Sequence, residues 1–282
     1  MPDPVTVAQV LQRAAHRLQQ AGVDDPRREA RRIWQDLMEG RPVAPVDRDA
    51  PVGSADVAQM DRAIARRARG EPLAHVTGLV GFRRLTLKSD RRALIPRPES
   101  EGLVDLVLTR QPSGRVIDVG TGSGCIALAL ADEGRYLAVT AIDQSAEALE
   151  LAGENSALTG HRISLVRGDL LTAVGVDSAD IVVSNPPYLT DREYAILDRS
   201  VRDWEPGAAL ASGPDGLAAS RRLIEMARAV VRPGGWLALE VDAARAGEVA
   251  GLASAAGWMD TVVHMDLFGR ARFVVARRNE AA

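Results

Sequence analysis

Residues 115–125 read RVIDVGTGSGC, and this stretch decides the fold. The apolar run "RVIDVG" ends in a glycine, and the apolar "CIALALADE" (125–133) begins five residues later. The first reads as a buried strand and the second as a helix. Gly120, Gly122 and Gly124 therefore fall where a strand turns into a helix. Glycine there lets the backbone approach a ligand closely and adopt unusual dihedrals. Such a turn could serve many nucleotides, so its spacing matters. No Gly-Lys-Ser/Thr is present, which disfavours a triphosphate loop. Asp118-x-Gly120-x-Gly122-x-Gly124 is also not the GxGxxG of a dinucleotide site.

Outward from this turn, strands and helices alternate. "YLAVTAID" (136–143), "ISLVRGD" (163–169), "DIVVSN" (180–185) and "GWLALEV" (235–241) read as strands. "SAEALELAGENSAL" (145–158) and "LAASRRLIEMARAVV" (217–231) read as helices between them. Alternation of this kind predicts an α/β fold, a parallel sheet with helices on both faces. "WMDTVVHMD" (258–266) and "ARFVVARR" (271–278) are two further strands, and their short connection predicts antiparallel pairing.

Upstream, residues 6 to about 70 look helical. Val7, Val10, Leu11, Ala14 and Leu18 share one face, with Thr6 and Gln9 as a capping box and Gly22 as a stop. Asp25 caps a second helix with Pro26 at its first position, and "SADVAQMDRAIARRARG" (54–70) is a third. The Pro- and Asp-rich "RPVAPVDRDAPVG" (41–53) separates these two. The Arg-rich faces read as solvated surface, with a binding patch as the competing reading. Residues 71–98 carry the short strand-like runs of a hairpin linker, closed by Pro96 and Pro98.

The composition narrows the function classes. Of 282 residues, 46% are hydrophobic and 26% charged, which excludes whole-chain disorder; aromatics at 4% predict an aliphatic core. A net charge of −3 argues against a dedicated duplex binder. Cys125 is the single cysteine and has no internal partner, which fits a reducing compartment. No run reaches membrane-spanning length, and the N-terminus lacks a basic-then-apolar export signal, so a cytoplasmic location is expected. His16, His75, His161 and His264 share no ligand spacing, so no metal is expected.

Asp143 ends the second strand of the alternating region, where an acidic residue can accept from both hydroxyls of a ribose. The alternative reading is a helix cap, a role for which Ser145 competes. Asp169 follows the third strand, where an adenine amino group would lie; a plain Gly-Asp turn competes with that role. Together these features resemble the class I S-adenosylmethionine-dependent methyltransferases, with a Rossmann-like sheet. A glycine loop without a phosphate-binding lysine suits a ligand whose charges are a sulfonium and an amino acid.

"SNPPYLT" (184–190) runs straight out of the fourth strand. Asn-Pro can simply open a turn. Beside the crevice it reads more sharply as a clamp on a planar –NH2. The Asn185 side-chain oxygen and the Pro186 carbonyl can accept its two protons, Pro187 helps fix the backbone, and Tyr188 can pack against the plane. The tetrapeptide alone leaves the substrate open between the amine of adenine and the amide of glutamine.

The rest of the chain carries a closer resemblance. Arg67, Gly70 and Pro72, with His75, Gly78 and Phe82, sit in the places familiar from the peptide chain release factor N(5)-glutamine methyltransferases. "IPRPESE" matches that family's segment at Pro96, Arg97, Pro98, Glu99, Ser100 and Glu101, and "DWEPGAAL" adds Glu205 and Pro206. The resemblance implies three parts: a release-factor-binding helical bundle at 1–70, a hairpin linker at 71–98 and a methyltransferase domain at 99–282. Its sheet would be mostly parallel, with one antiparallel strand near the C-terminus. The implied reaction moves a methyl group from S-adenosylmethionine to the glutamine of the Gly-Gly-Gln loop of bacterial class 1 release factors, leaving S-adenosylhomocysteine. Gly120, Thr121, Gly122, Ser123, Gly124, Asp143, Asp169, Leu170 and Asn185 would contact the cofactor. Asn185, Pro186, Pro187 and Tyr188 would hold the glutamine. A monomer is expected, without membrane or direct nucleic-acid substrate. Arg97 and Glu101 are candidates either for the site or for a structural Pro-rich lid. Two departures stand out: Leu170 where some members carry an aromatic residue, and Asp242 at a glycine place, expected to affect packing far from the clamp. The competing functions are an adenine-amine methyltransferase, which would need a basic surface or an inserted recognition segment, and an idle S-adenosylmethionine-binding scaffold, which would need a damaged loop or clamp.

Overall fold

Thr6 starts the first helix as its sequence predicts, in a computed structural model that describes residues 5–38 and 47–280. Its hydroxyl accepts from the Gln9 N–H at 3.4 Å, and Gln9 Oε1 accepts from the Thr6 N–H at 3.1 Å. Two otherwise orphaned donors are satisfied reciprocally. Helix α1 (Val7–Gln20) buries Val7, Val10, Ala14 and Leu18, with Leu11 partly buried. Helix α2 (Pro26–Leu37) opens on the Asp25 cap, and α3 spans Ser54–Ala68. A short helix, α4 (Leu73–Thr77), occupies the start of the stretch read as a hairpin linker. Gly78 ends it at φ +75°, a left-handed turn that a β-carbon would strain. The apolar faces of these helices meet around Leu18, Ile33, Trp34, Met60 and Ile64. Residues 41–46 of the Pro-rich separator lie outside the described residues. The chain divides into two units: residues through Leu79 with Asp198–Trp204, and Val80–Leu197 with Glu205 onward.

The second unit begins with the hairpin strands β1 (Leu79–Phe82, entered from the first unit) and β2 (Leu85–Lys88). Helix α5 (Ser100–Arg110) follows and buries Leu103, Val104 and Val107. The alternating region then runs β3 (Ser113–Val119), α6 (Cys125–Glu133), β4 (Arg135–Asp143), α7 (Ala146–Thr159), β5 (Ser164–Arg167) and β6 (Ala179–Ser184). After α8 (Asp191–Ala195), and past α9 (Arg199–Arg202), which belongs to the first unit, come α10 (Ala218–Val230), β7 (Val231–Glu240), α11 (Ala246–Ala255), β8 (Met259–Met265) and β9 (Ala271–Arg277).

The sheet order is β5-β4-β3-β6-β7-β9-β8. All pairs through β7 are parallel; β9 runs antiparallel to both β7 and β8, so it is the one reversed strand. The order reverses at β3, and ligands of open α/β sheets bind at the carboxyl ends of strands beside such a switch. Both faces are covered, which is why the strands read as continuous apolar runs instead of alternating ones. Ile117, Val182, Leu237, Leu239 and Val274 pack on one face with α10 and α11. Val116, Ile181, Val183, Ala238 and Val275 pack on the other with α5 and α6. Burying each Val, Leu or Ile contributes about 1.5–3 kcal/mol. Among the described residues no helix is long and apolar enough to cross a membrane.

Candidate active site

The register places four strand ends side by side. Val119 of β3 pairs with Ile142 of β4 and Ser184 of β6, and Ser184 pairs with Leu239 of β7. Asn185 and Glu240 each follow one residue later, so they leave the sheet as neighbours. Above these ends lies a crevice of about 610 Å³, lined by residues including Gly120, Thr121, Gly122, Ser123, Asp143, Asp169, Leu170, Asn185 and Pro187. Gly124 sits just behind the wall as the N-cap of α6.

Asp118 fastens the glycine loop. Its Oδ2 accepts from the Thr121 hydroxyl at 2.6 Å and from the Ala127 N–H at 3.2 Å, tying the loop to the first turn of α6. The side chain is fully buried, and burial pushes its carboxyl up to about 7 against those two hydrogen bonds. Its Oδ1 has no partner. Gly120 sits at φ +69°, and a β-carbon built there would meet nothing within 4 Å. Gly124, at φ +82°, would press a β-carbon to 3.2 Å from that of Ala152. The first glycine therefore keeps the floor open, and the second lets α6 pack on α7. Asn155 of α7 stitches the loop from behind: its Nδ2 donates to Ser123 O at 3.0 Å and to Lys88 O at 3.2 Å. The Cys125 thiol, partly buried at the crevice, is pushed up to about 12 by desolvation, with the Asp118 charge adding to it.

Asp143 is fixed by two backbone donors, Gly122 N–H at 2.9 Å to Oδ2 and Ser145 N–H at 2.9 Å to Oδ1. The cap of α7 is Ser145, whose hydroxyl accepts from Ala148 N–H. Asp169 is exposed and pairs with Arg222 of α10 at 2.6 Å. Leu170 takes φ +50° and lies partly buried against the core under the crevice.

Prolines can follow β6 because pairing stops there: the chain next bonds at Leu189, whose N–H donates to Leu210 O at 2.9 Å. Asn185 and Pro187 line the crevice, whereas Pro186, which is buried, and Tyr188, which is partly buried, are not among its lining residues. The Asn185 Nδ2 donates to Ser100 Oγ at 3.2 Å, and the Ser100 hydroxyl donates to Glu240 Oε2 at 2.6 Å. Burial raises the Glu240 carboxyl to about 7; the Ser100 hydroxyl, Arg272 and Arg97 work against that, while Glu99 adds to it. Burial also raises the Tyr188 phenol, with Glu240 and Asp242 adding to the effect and Arg272 and Arg97 opposing it. Asp242 is therefore not remote from the tetrapeptide, although its own contacts are structural: it accepts from Arg245, which also holds Glu193 of α8.

These positions can be set against known proteins. A PrmC N-terminal domain model matches residues 9–78, and a Methyltransferase small domain model matches residues 99–205. A release factor glutamine methyltransferase from Deinococcus radiodurans is 42% identical over 273 residues, covering 95% of this chain and 97% of that protein. The chain belongs to the release factor glutamine methyltransferase family. The relative of the same name from Cereibacter sphaeroides is 40% identical, covering 96% of this chain and 98% of its own. Among solved structures, a methyltransferase from Pyrococcus furiosus superposes with a TM-score of 0.53 at 18% identity, covering 80% of this chain and all of that one, which supports the fold.

Within this methyltransferase, the structure separates the two residues of the Pro-rich segment left undecided by sequence. Glu101 accepts from the Arg83 N–H at 2.8 Å in the hairpin turn and so holds the hairpin to α5. Arg97 donates to Glu205 Oε1 at 2.5 Å, and Ile95 N–H donates to Glu205 Oε2 at 2.9 Å. Glu205 thus pins residues 95–97, which line the crevice, to the segment opening at Pro206. Asp118, Ser100 and Glu240 were not singled out as site residues from sequence. Asp118 heads the glycine pattern and could have been; Ser100 and Glu240 lie 140 residues apart, and only the packing of α5 against β7 joins them. Among the described residues no group of three His, Cys, Asp or Glu side chains could hold a metal ion.

Proposed function

We propose that this enzyme transfers the methyl group of S-adenosylmethionine to the side-chain nitrogen of the glutamine in the Gly-Gly-Gln loop of bacterial class 1 release factors. The observation that carries this reading is Asn185 at the crevice wall with its Nδ2 engaged by Ser100, which leaves Oδ1 as a free acceptor beside the glycine loop. The residues present suit the donor. Gly120 offers a floor that any side chain would fill. Asp143 is oriented by two N–H groups and keeps lone pairs for ribose hydroxyls. The unpartnered Asp118 Oδ1 leaves a buried hydrogen-bonding position behind the loop. Asp169 would take the adenine amine, and Leu170 would give aliphatic contact to the ring.

S-adenosylmethionine supplies an electrophilic methyl on a positively charged sulfur. The protein's work is on the nucleophile. A carboxamide nitrogen is unreactive because its lone pair is delocalised into the carbonyl. Asn185 Oδ1 and the Pro186 carbonyl grip both N–H groups, aim the lone pair at the methyl, and favour the pyramidal nitrogen as the new N–C bond forms. Bound S-adenosylmethionine would supply the methyl and keep the S–C electron pair as a neutral thioether, and the nitrogen, acidic once alkylated, would give its proton to water. Pro186 and Pro187 keep the loop from relaxing, and the Tyr188 ring packs against the amide plane. The helical unit, residues 1–70, engages the release factor; the enzyme acts as a cytoplasmic monomer. Mass spectrometry of a purified class 1 release factor after incubation with the enzyme and isotopically labelled methyl donor tests this. One labelled methyl group on the loop glutamine is expected; transfer to adenine in DNA or RNA, and none to the release factor, would overturn it.

A further inference from the structure

Nothing in the shape of a carboxamide says which end faces a substrate. Oxygen and nitrogen are similar in size, and a flipped Asn185 would present two donors to the two donors of the target amide. We propose that Ser100 and Glu240 are positioning residues that fix which end of the Asn185 side chain faces the crevice. The proposal rests on the clamp reading above and adds to it.

Hydrogen-bond polarity decides the orientation. An ionised carboxylate only accepts. The Ser100 proton, 2.6 Å from Glu240 Oε2, is therefore committed to Glu240. What Ser100 Oγ then has left is lone pairs, so it can take an N–H from Asn185 but cannot donate to its C=O. The 3.2 Å contact to Nδ2 is the outcome, and Oδ1 is turned away from Ser100. The three groups come from three elements: the first turn of α5, the end of β7 and the segment after β6. Ser100 is 3% exposed and Glu240 1%, so water does not compete for these bonds. A buried carboxylate is costly to desolvate, and an apolar residue would serve packing better at this place. Protonated Glu240 could instead donate to Ser100, freeing the hydroxyl to bond Oδ1 and turn the amide over. The charged and titratable groups facing Glu240 are Arg97 and Glu99 ahead of α5, Arg272 on β9, Tyr188 after β6 and the Cys125 thiol on α6.

The test is a set of variants assayed on a class 1 release factor: Ser100→Ala, Ser100→Thr, Glu240→Gln, Asn185→Ala and the double Ser100→Ala/Asn185→Ala. Ser100→Ala should lower kcat by about 10–100-fold, in line with loss of orientation at a reacting group. Donor affinity by calorimetry should stay within about twofold, and Ser100→Thr should recover most of the rate. The double variant should be no slower than Asn185→Ala alone, since Ser100 acts through Asn185. In the parent enzyme kcat should rise as Glu240 ionises near neutral pH, and Glu240→Gln should remove that limb. A damaged Asn185→Ala with Ser100→Ala and Glu240→Gln both within twofold of the parent would overturn the positioning role and leave the clamp standing. An additive double variant would also overturn it, showing a structural role only. A near-normal Asn185→Ala would overturn both.

Discussion

Replacing Glu240 by Gln should make the enzyme's stability less sensitive to pH. The side chain is 1% exposed and titrates at about 7 in the folded protein, against 4.5 as its ordinary value. Between those values the folded state holds a proton that the unfolded chain has released, so the parent protein loses stability as pH rises through this window. At about 1.4 kcal/mol per pH unit, the full effect is about 3 kcal/mol, of which roughly 2–3 kcal/mol falls between pH 5 and pH 8. Gln keeps the shape and does not titrate. Urea unfolding of both proteins side by side, at several pH values across that range, reads the difference directly; Asp118, raised by burial in both, cancels. Glu240→Gln should gain on the parent by that amount from pH 5 to pH 8. A gap between the two proteins that stays constant within about 0.5 kcal/mol would refute the claim that Glu240 is ionised only at a cost in the fold.

Asn185→Ala removes one of the two proposed acceptors and should slow methyl transfer by about 10²–10³-fold while leaving donor affinity nearly unchanged; steady-state rates with calorimetry check both. Asp143→Ala should chiefly weaken donor binding, because it removes the proposed ribose acceptor and also frees the Gly122 and Ser145 N–H groups; an unchanged dissociation constant would rule out that role. Gly124→Ala forces a β-carbon into a left-handed backbone 3.2 Å from Ala152 and should destabilise the enzyme by about 1–2 kcal/mol or more, seen as a lower urea midpoint.

Local chemistry explains what could be read ahead of the structure. The glycines at 120, 122 and 124, the Thr6–Gln9 box and the Asp25–Pro26 start each act within a few residues, so their spacing is enough. The sheet was legible because burial on both faces turns strands into continuous apolar runs. Helix α5 is hard to see in the sequence because it follows two prolines closely, although Leu103, Val104 and Val107 are buried together. Helix α4, at five residues, is too short to show a period and sat inside a stretch with strand-like runs. The long-range partners were out of reach in a different sense. Arg97 with Glu205, Asp169 with Arg222, and Asn185 with Ser100 and Glu240 depend on which strand ends and helix turns the topology sets together. Asp242 shows the limit of reasoning by distance along the chain: it follows Glu240 by two residues, and its charge reaches the Tyr188 phenol.

The most direct measurement is a crystal structure of the enzyme with S-adenosylhomocysteine and a release factor, or a peptide carrying its Gly-Gly-Gln loop. Asn185 Oδ1 and the Pro186 carbonyl oxygen should each lie within about 3.2 Å of the glutamine nitrogen, with that nitrogen facing the thioether sulfur. A glutamine bound elsewhere, or residues 185–188 turned away from the sulfur, would contradict it.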